Sequence, residues 1–281
     1  MLSYRHAFHA GNHADVLKHL VLVQLTRYLV QKDKPFWYID THSGAGVYSL
    51  DSGYAVKLAE YKNGIGRLWD RKDLPPVLAD YVELVRRCNP DRRLKSYPGS
   101  PRFALWTMRK KDRLRLFELH SKDARLLQEN FQTSDKQVIV EATDGFVGLK
   151  ALLPPASRRA LVLIDPSYEE KHDYERVYHT LKESLIRFPG GTYALWYPQL
   201  TRLEAHELPQ RLKRLPAKDW LHVALRVKAP ASDSFGMHGS GMFILNPPWI
   251  LHETLAEVMP YLANALALDA GANYTLERSE N

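Results

Sequence analysis

Ala160-Leu-Val-Leu-Ile-Asp-Pro-Ser-Tyr168 is the stretch on which the fold turns. Its apolar run is continuous rather than alternating, which marks a strand covered on both faces, and such burial belongs to parallel sheets flanked by helices. The strand reads as Ala160–Asp165, with the Asp-Pro step ending it. Outward from it the same unit recurs. Short apolar runs at Pro35–Asp40, Leu114–Leu119, Gln137–Ala142, Thr192–Tyr197, Trp220–Val227 and Met242–Asn246 read as further strands. Amphipathic stretches near Pro101–Lys110, Asp123–Phe131, Gly145–Leu152, Asp173–Arg187, Leu203–Arg214 and Leu251–Leu266 read as helices. The alternation predicts an α/β fold with helices on both faces of a largely parallel sheet. Only the last two strands lack a helical pattern between them, so they are expected to form an antiparallel pair closing one edge.

Two segments stand outside this alternation. A His-rich stretch, His6-Ala-Phe-His-Ala-Gly-Asn-His13, runs into a helix ending near Val30. A second segment, rich in Tyr, Lys and Arg, is broken by Gly64, Gly66, Pro75, Pro76 and Pro90. The expected organisation is a main domain of 1–46 and 98–281, whose first 30 residues form an extension over the ligand crevice, with 47–97 as a helical insertion. Insertions at the carboxyl ends of strands overhang that crevice, which makes a lid the natural expectation.

With 45% hydrophobic and 25% charged residues among 281, the chain can bury a full core. No apolar run reaches the roughly 18 residues of a membrane span. Met1-Leu-Ser-Tyr-Arg-His6 lacks the apolar stretch of a signal peptide, and a monomeric cytoplasmic protein without membrane contact is expected. The single Cys88 forms no internal disulfide. His9 and His13 lie four apart with His6 and His19 nearby, but no cysteine pair or His-Glu-x-x-His pattern completes a coordination set, so no metal is expected. The net charge of +7 favours a polyanionic partner. Basic runs occur at Arg86-Arg87, Arg92-Arg93-Lys95, Arg109–Arg115 and Arg158-Arg159, although each alone also reads as a solvated face.

Asp40-Thr-His-Ser-Gly-Ala-Gly46 follows the first strand, and its glycines let backbone approach a ligand closely. The next strand ends in Glu118, a carboxylate able to accept both hydroxyls of a ribose. After the third strand, Asp144-Gly145 offers another acid suited to an adenine amine. Ser100-Pro101 reads as an N-cap and first helical position, its hydroxyl free to serve helix or ligand. His19 either faces the crevice or is a hydrogen-bonded helix residue.

Asp165-Pro166-Ser167-Tyr168 closes the central strand at the same edge. An adenine exocyclic nitrogen is a poor nucleophile because its lone pair is delocalised into the ring. Hydrogen bonds from its N–H groups to the Asp165 carboxylate and the Pro166 carbonyl would restore electron density. Tyr168 is expected to supply an aromatic face for the extruded base. A methyl donor then needs chiefly in-line alignment. A second tetrad, Asn246-Pro-Pro-Trp249, matches the amino-methylating pattern Asn/Asp-Pro-Pro-aromatic better, but follows the last strand and is expected to be a structural turn.

Taken together, Phe8–His19, Asp40–Gly46, Tyr97-Pro-Gly-Ser-Pro101, Ala194-Leu-Trp-Tyr-Pro198 and Gly241–Trp249 resemble, in order, the blocks of the RlmJ-type 23S ribosomal RNA (adenine-N6)-methyltransferases, over essentially the whole chain. The resemblance implies a class I (Rossmann-like) methyltransferase fold, S-adenosylmethionine as cofactor with S-adenosylhomocysteine as product, 23S ribosomal RNA as partner and a part in rRNA processing. It implies cofactor contacts from His19, His42, Ser100, Glu118, Asp144, Gly145 and Asp165, with Asp165 also catalytic beside Pro166 and Tyr168. Ser167 departs from the family's tetrad, which has proline there. Other readings of the same residues are an adenine-N6 DNA methyltransferase, a non-catalytic basic RNA-binding module and a protein glutamine methyltransferase, the last disfavoured by the basic charge.

Overall fold

The computed structural model describes residues 5–51, 55–230 and 236–279; Met1–Tyr4 lie outside them. In chain order the elements are α1 (His13–Val30), β1 (Trp37–Asp40), β2 (Val47–Ser49), α2 (Ala55–Leu58), α3 (Pro76–Arg86), β3 (Ser96–Pro98), α4 (Ser100–Thr107), β4 (Arg113–Phe117), α5 (Ser121–Phe131), β5 (Val138–Glu141), α6 (Gly145–Leu152), β6 (Ala160–Ile164), α7 (His172–Arg187), β7 (Thr192–Gln199), α8 (Leu203–Leu212), β8 (Trp220–Arg226), β9 (Gly239–Leu245), α9 (Leu251–Ala265) and β10 (Asn273–Arg278).

Eight strands form one sheet in the order β10-β8-β9-β7-β6-β1-β4-β5. β5, β4, β1, β6 and β7 run parallel. β9 is antiparallel to both β7 and β8, and β10 is antiparallel to β8. The expected antiparallel pair is present, but β10 covers it and takes the edge. β10 escapes a reading of apolar runs because its residues are half-buried or exposed. A small second sheet, β2 with β3, was also unexpected and ties the two ends of the insertion together.

β6 is buried at every residue. Leu161 and Leu163 enter a cluster with α1, α3, α4 and α9, whereas Val162 and Ile164 enter another with α6, α7 and α8. Both faces are therefore covered, as a continuous apolar strand demands. The insertion shares the first of these clusters through Ile65, Leu68, Tyr81 and Val82.

α1 is not an amphipathic cover but part of the core, buried without interruption from His13 to Val23. Its first turn is capped by Asn12, whose side chain accepts from the Ala14 and Asp15 N–H groups at 2.9 and 3.0 Å, a contribution of about 1 kcal/mol. Distant arginines meet the carbonyls at and just beyond its end: Arg159 donates to Leu29, and Arg109 to Val30 and to Lys32 in the following turn. These two members of the basic runs therefore finish a buried helix, since orphaned helix-end carbonyls require partners. Among the described residues no helix is long and apolar enough to cross a membrane.

Candidate active site

The strand order reverses direction at β1, which has β4 on one side and β6 on the other. Loops leaving the carboxyl ends of these strands diverge there and open a crevice, the usual ligand position in such sheets. The cavity found there is lined by His19, His42, Ser100, Glu118, Asp144, Gly145, Asp165 and Pro166. The sequence-read site residues thus converge, except one. Tyr168 does not line the cavity.

The β1 loop is shaped by close approach. Gly44 and Gly46 adopt positive φ (59° and 80°). A Cβ on Gly145 would fall 1.9 Å from the Thr41 carbonyl oxygen, so any side chain there pushes two loops apart. The Glu118 carboxylate accepts from the Gly44 N–H at 2.8 Å and the His120 N–H at 2.7 Å. Each oxygen keeps a lone pair for a ligand hydroxyl. Burial raises the Glu118 pKa against these two N–H groups. Asp144 is more committed than expected. One oxygen caps α6 through the Phe146 and Val147 N–H groups, and the other takes the Arg176 guanidinium. Burial would raise its pKa, but Arg176 and the capping amides hold it below the usual value.

Ser100 resolves differently from both expectations. Gly99 is the N-cap of α4, and the Ser100 hydroxyl donates to Asp40 at 2.7 Å. Asp40 also accepts from the Tyr38 hydroxyl at 2.6 Å. It is buried, and that burial, opposed by those two donors, leaves its pKa at about 6.

His19 is buried and held neutral, its pKa driven well below 6.5 by burial. Its Nδ1 lies 2.8 Å from the Tyr97 hydroxyl, which lies 2.7 Å from the Tyr81 hydroxyl. One direction strands the Tyr81 hydroxyl proton in the core; in the other Tyr81 donates to Tyr97, Tyr97 donates to Nδ1, and the proton left over lies on His19, at the cavity wall. That assignment puts the imidazole proton on Nε2, which lacks a partner among the described residues. A buried N–H donor facing a cavity suits a ligand carboxylate. His42 is likewise neutral, pushed down to about 4 by burial, and packs edge-on against Phe146.

Asp165 carries the feature that sequence reasoning missed. The Lys18 ammonium, from the middle of α1, lies 2.5 Å from one Asp165 oxygen and 2.9 Å from Asp15. Asp15 in turn accepts from the His6 ring at 2.9 Å and the Gly11 N–H at 2.8 Å. Burial raises the Asp165 pKa, and Lys18 counters it. The signal available was Asp15 and Lys18 at helical spacing i,i+3, but their burial was not legible. Arg176 and Phe146 were also missed.

Tyr168 was expected to offer an open aromatic face. Instead it takes positive φ (54°), which turns its ring away from the cavity. The ring is 2% exposed, 4.7 Å from that of Tyr174, and its hydroxyl donates to the Trp196 carbonyl at 2.8 Å. Left-handed backbone at a non-glycine residue costs about 1–3 kcal/mol and is kept where surroundings enforce it. His9, four residues before His13, pairs with Glu60.

The second tetrad sits at the opposite end of the sheet. Because β9 is antiparallel, its last residue Leu245 pairs with Tyr193 and Trp220 at the starts of β7 and β8. Asn246 donates to the Pro189 and Gly191 carbonyls at 2.8 and 2.7 Å and accepts from the Lys218 N–H at 3.1 Å. Its amide is consumed in joining loops.

Seven carboxylates line the cavity, Glu118, Asp123, Asp144, Asp165, Glu169, Glu170 and Asp173, against two permanent cations, Lys18 and Arg176. That balance favours a cationic ligand, and the orphaned His19 donor, the Glu118 acceptor and the Gly145 approach fit S-adenosylmethionine. Fold and site together define a Rossmann-like, S-adenosylmethionine-dependent methyltransferase.

Residues 33–277 match the family model described as ribosomal RNA large subunit methyltransferase D, RlmJ. The chain is 46% identical to ribosomal RNA large subunit methyltransferase J of Haemophilus influenzae, covering 99% of this chain and 98% of that protein. It is 47% identical to the Escherichia coli K12 protein of the same name, covering 95% and 94%. A crystal structure of a Legionella pneumophila protein superposes with a TM-score of 0.88 at 36% identity, covering 96% of this chain and 98% of that one. The chain belongs to the RlmJ family of large-subunit ribosomal RNA methyltransferases.

Proposed function

We propose that this chain transfers a methyl group from S-adenosylmethionine to N6 of one adenine in 23S ribosomal RNA. The observation that carries the reading is the Asp165 carboxylate, held by Lys18 at the edge of a cavity that also contains Glu118, His19 and Gly145. The likeness to large-subunit ribosomal RNA methyltransferases supports the substrate class.

Bound in the crevice, the cofactor supplies an electrophilic sulfonium methyl. The chain's own residues do the rest. His19 Nε2–H is placed to donate to the amino-acid carboxylate, and Glu118 to accept from ribose hydroxyls. Asp144 and Gly145, beside Phe146, border the space for the adenine ring. At the other end, Lys18 occupies one Asp165 oxygen, keeps the group ionised against burial and leaves the second oxygen to accept an N6–H. The Pro166 carbonyl accepts the other N6–H. Both bonds strengthen as positive charge develops on nitrogen, which is differential stabilisation of the transition state. Asp165 is then the nearest acceptor for the departing proton. Tyr168 acts beneath the turn, locking its backbone through Trp196, rather than as the face on which the base rests.

Purified protein incubated with methyl-labelled cofactor and unmodified 23S RNA is expected to yield labelled N6-methyladenine. No label on any RNA would overturn the reading. Preferential labelling of duplex DNA in competition would move it to a DNA methyltransferase.

A further inference from the structure

We propose that a basic strip at the ends of β7, β9 and β8, made by the cations Lys228 and Arg226 with the His206 and His238 rings beside them, binds the phosphodiester backbone beside the target adenosine. This rests on the RNA-methylating reading above. The carboxyl edge of the sheet is divided in two. The crevice at β1, β4 and β5, where carboxylates outnumber permanent cations, is assigned to the cofactor. The substrate must therefore enter over the other half.

The register locates the strip. Ile164, the last residue of β6, pairs with Leu195, whereas β7 continues to Gln199. Gln199 pairs with Gly239, which pairs with Arg226, forming one row at the rim. Strand spacing and rise put this row about 10 Å to the side of Asp165 and about 10 Å above it. That is the reach of a neighbouring nucleotide, not of the target base.

Among the described residues this row meets few anions. Among the described residues Lys228, Arg226 and His206 pair with no carboxylate, unlike the cofactor-side arginines Arg176 and Arg115, which meet Asp144 and Glu141. Arg226 Nε is anchored on the Gly271 carbonyl at 2.9 Å. The nearby Asp269 carboxylate is engaged by the Ala229 and Gly271 N–H groups. His238 is 5% exposed, yet among the described residues its Nδ1 lacks a partner. Burial holds the His238 ring neutral, and the neighbouring His206, Arg226 and Lys228 act in the same direction. Neighbouring cations and a buried ring nitrogen without a partner are costly unless an acceptor of negative charge meets them. A phosphate oxygen satisfies both needs.

The test uses Lys228→Ala and His206→Ala in the full chain, with Lys110→Ala, near the opposite edge, as control. For methylation of 23S RNA, each strip variant should raise KM about two- to fivefold, the size of an exposed ion pair. The loss should fall on KM rather than kcat, with cofactor affinity by calorimetry unchanged. The slope of log KM against log salt should drop by about 0.7 for Lys228→Ala, one single-strand phosphate contact. Wild-type KM and salt slope in both strip variants, or an equal rise in Lys110→Ala, would overturn the strip while leaving the methyltransferase reading intact. A wild-type protein that binds cofactor but methylates no RNA would overturn both.

Discussion

The two proline turns, Asp165-Pro-Ser-Tyr168 and Asn246-Pro-Pro-Trp249, are near copies in sequence and opposites in use. Each follows a buried strand and each contains a left-handed residue, Tyr168 at φ 54° and Asn246 at φ 53°. The first ends a parallel strand, so it faces the crevice where Glu118, Asp144 and Lys18 converge. The second ends an antiparallel strand and emerges at the far edge. There its polar atoms are spent on the Pro189, Gly191 and Lys218 backbone. Strand direction, not the local pattern, decides which turn does chemistry. The turn that matches the amino-methylating pattern less well has the better position.

The comparison is broken most directly by Asp165→Ala. Loss of this group should lower kcat for RNA methylation by about 10²–10⁴-fold, and calorimetry should find cofactor binding largely retained. Next in size is Lys18→Met, which strands Asp15 and Asp165 without their buried cation. Denaturant unfolding should register a loss of about 3–5 kcal/mol, as for a broken buried ion pair. The same variant sharpens the electrostatic account. Transfer requires ionised Asp165, whose pKa burial raises above the usual carboxylate value. The rate should therefore fall as pH drops through that raised pKa. Without Lys18 only the weaker pull of His6 opposes burial, so the acid limb of the kcat profile should move to higher pH; an unmoved or lowered limb would contradict it.

Asn246→Ala should behave in the opposite manner from Asp165→Ala. It leaves two carbonyls and an amide unpaired, which should cost about 1–3 kcal/mol in unfolding experiments, with kcat of the folded fraction unchanged. Smallest is the exchange Ser167→Pro, which gives the first turn the Pro-Pro step of the second. Ser167 leaves Pro166 free of the restriction a following proline imposes and restores a backbone N–H. Turnover should change by a modest factor. A large loss would mean that the two turns are built on different backbones.

Much of the sheet was legible because its strands are apolar on both faces and its helices on one, so pattern and burial agree. β6, α6 and α7 lie within a residue of their expected bounds. What was not legible depends on tertiary context. α1 looks like a polar-studded extension because His13, Asp15, Lys18 and His19 interrupt it, yet those residues are buried with it. Their partners lie far away in sequence, at Asp165 and Tyr97. The basic runs looked like a nucleic-acid surface, but Arg109 and Arg159 cap α1. Tyr168 was misread because φ sign, which directs its ring, is not written in residue type.

The central claim is that the Asp165 turn alone carries the chemistry. Single-turnover methyl transfer to 23S RNA at saturating cofactor, with Asp165→Asn and Asn246→Ala measured side by side, tests it most directly. The account predicts that Asp165→Asn loses transfer while still binding S-adenosylmethionine, and that Asn246→Ala transfers at the wild-type rate. Wild-type transfer by Asp165→Asn, with transfer lost in Asn246→Ala, would contradict it.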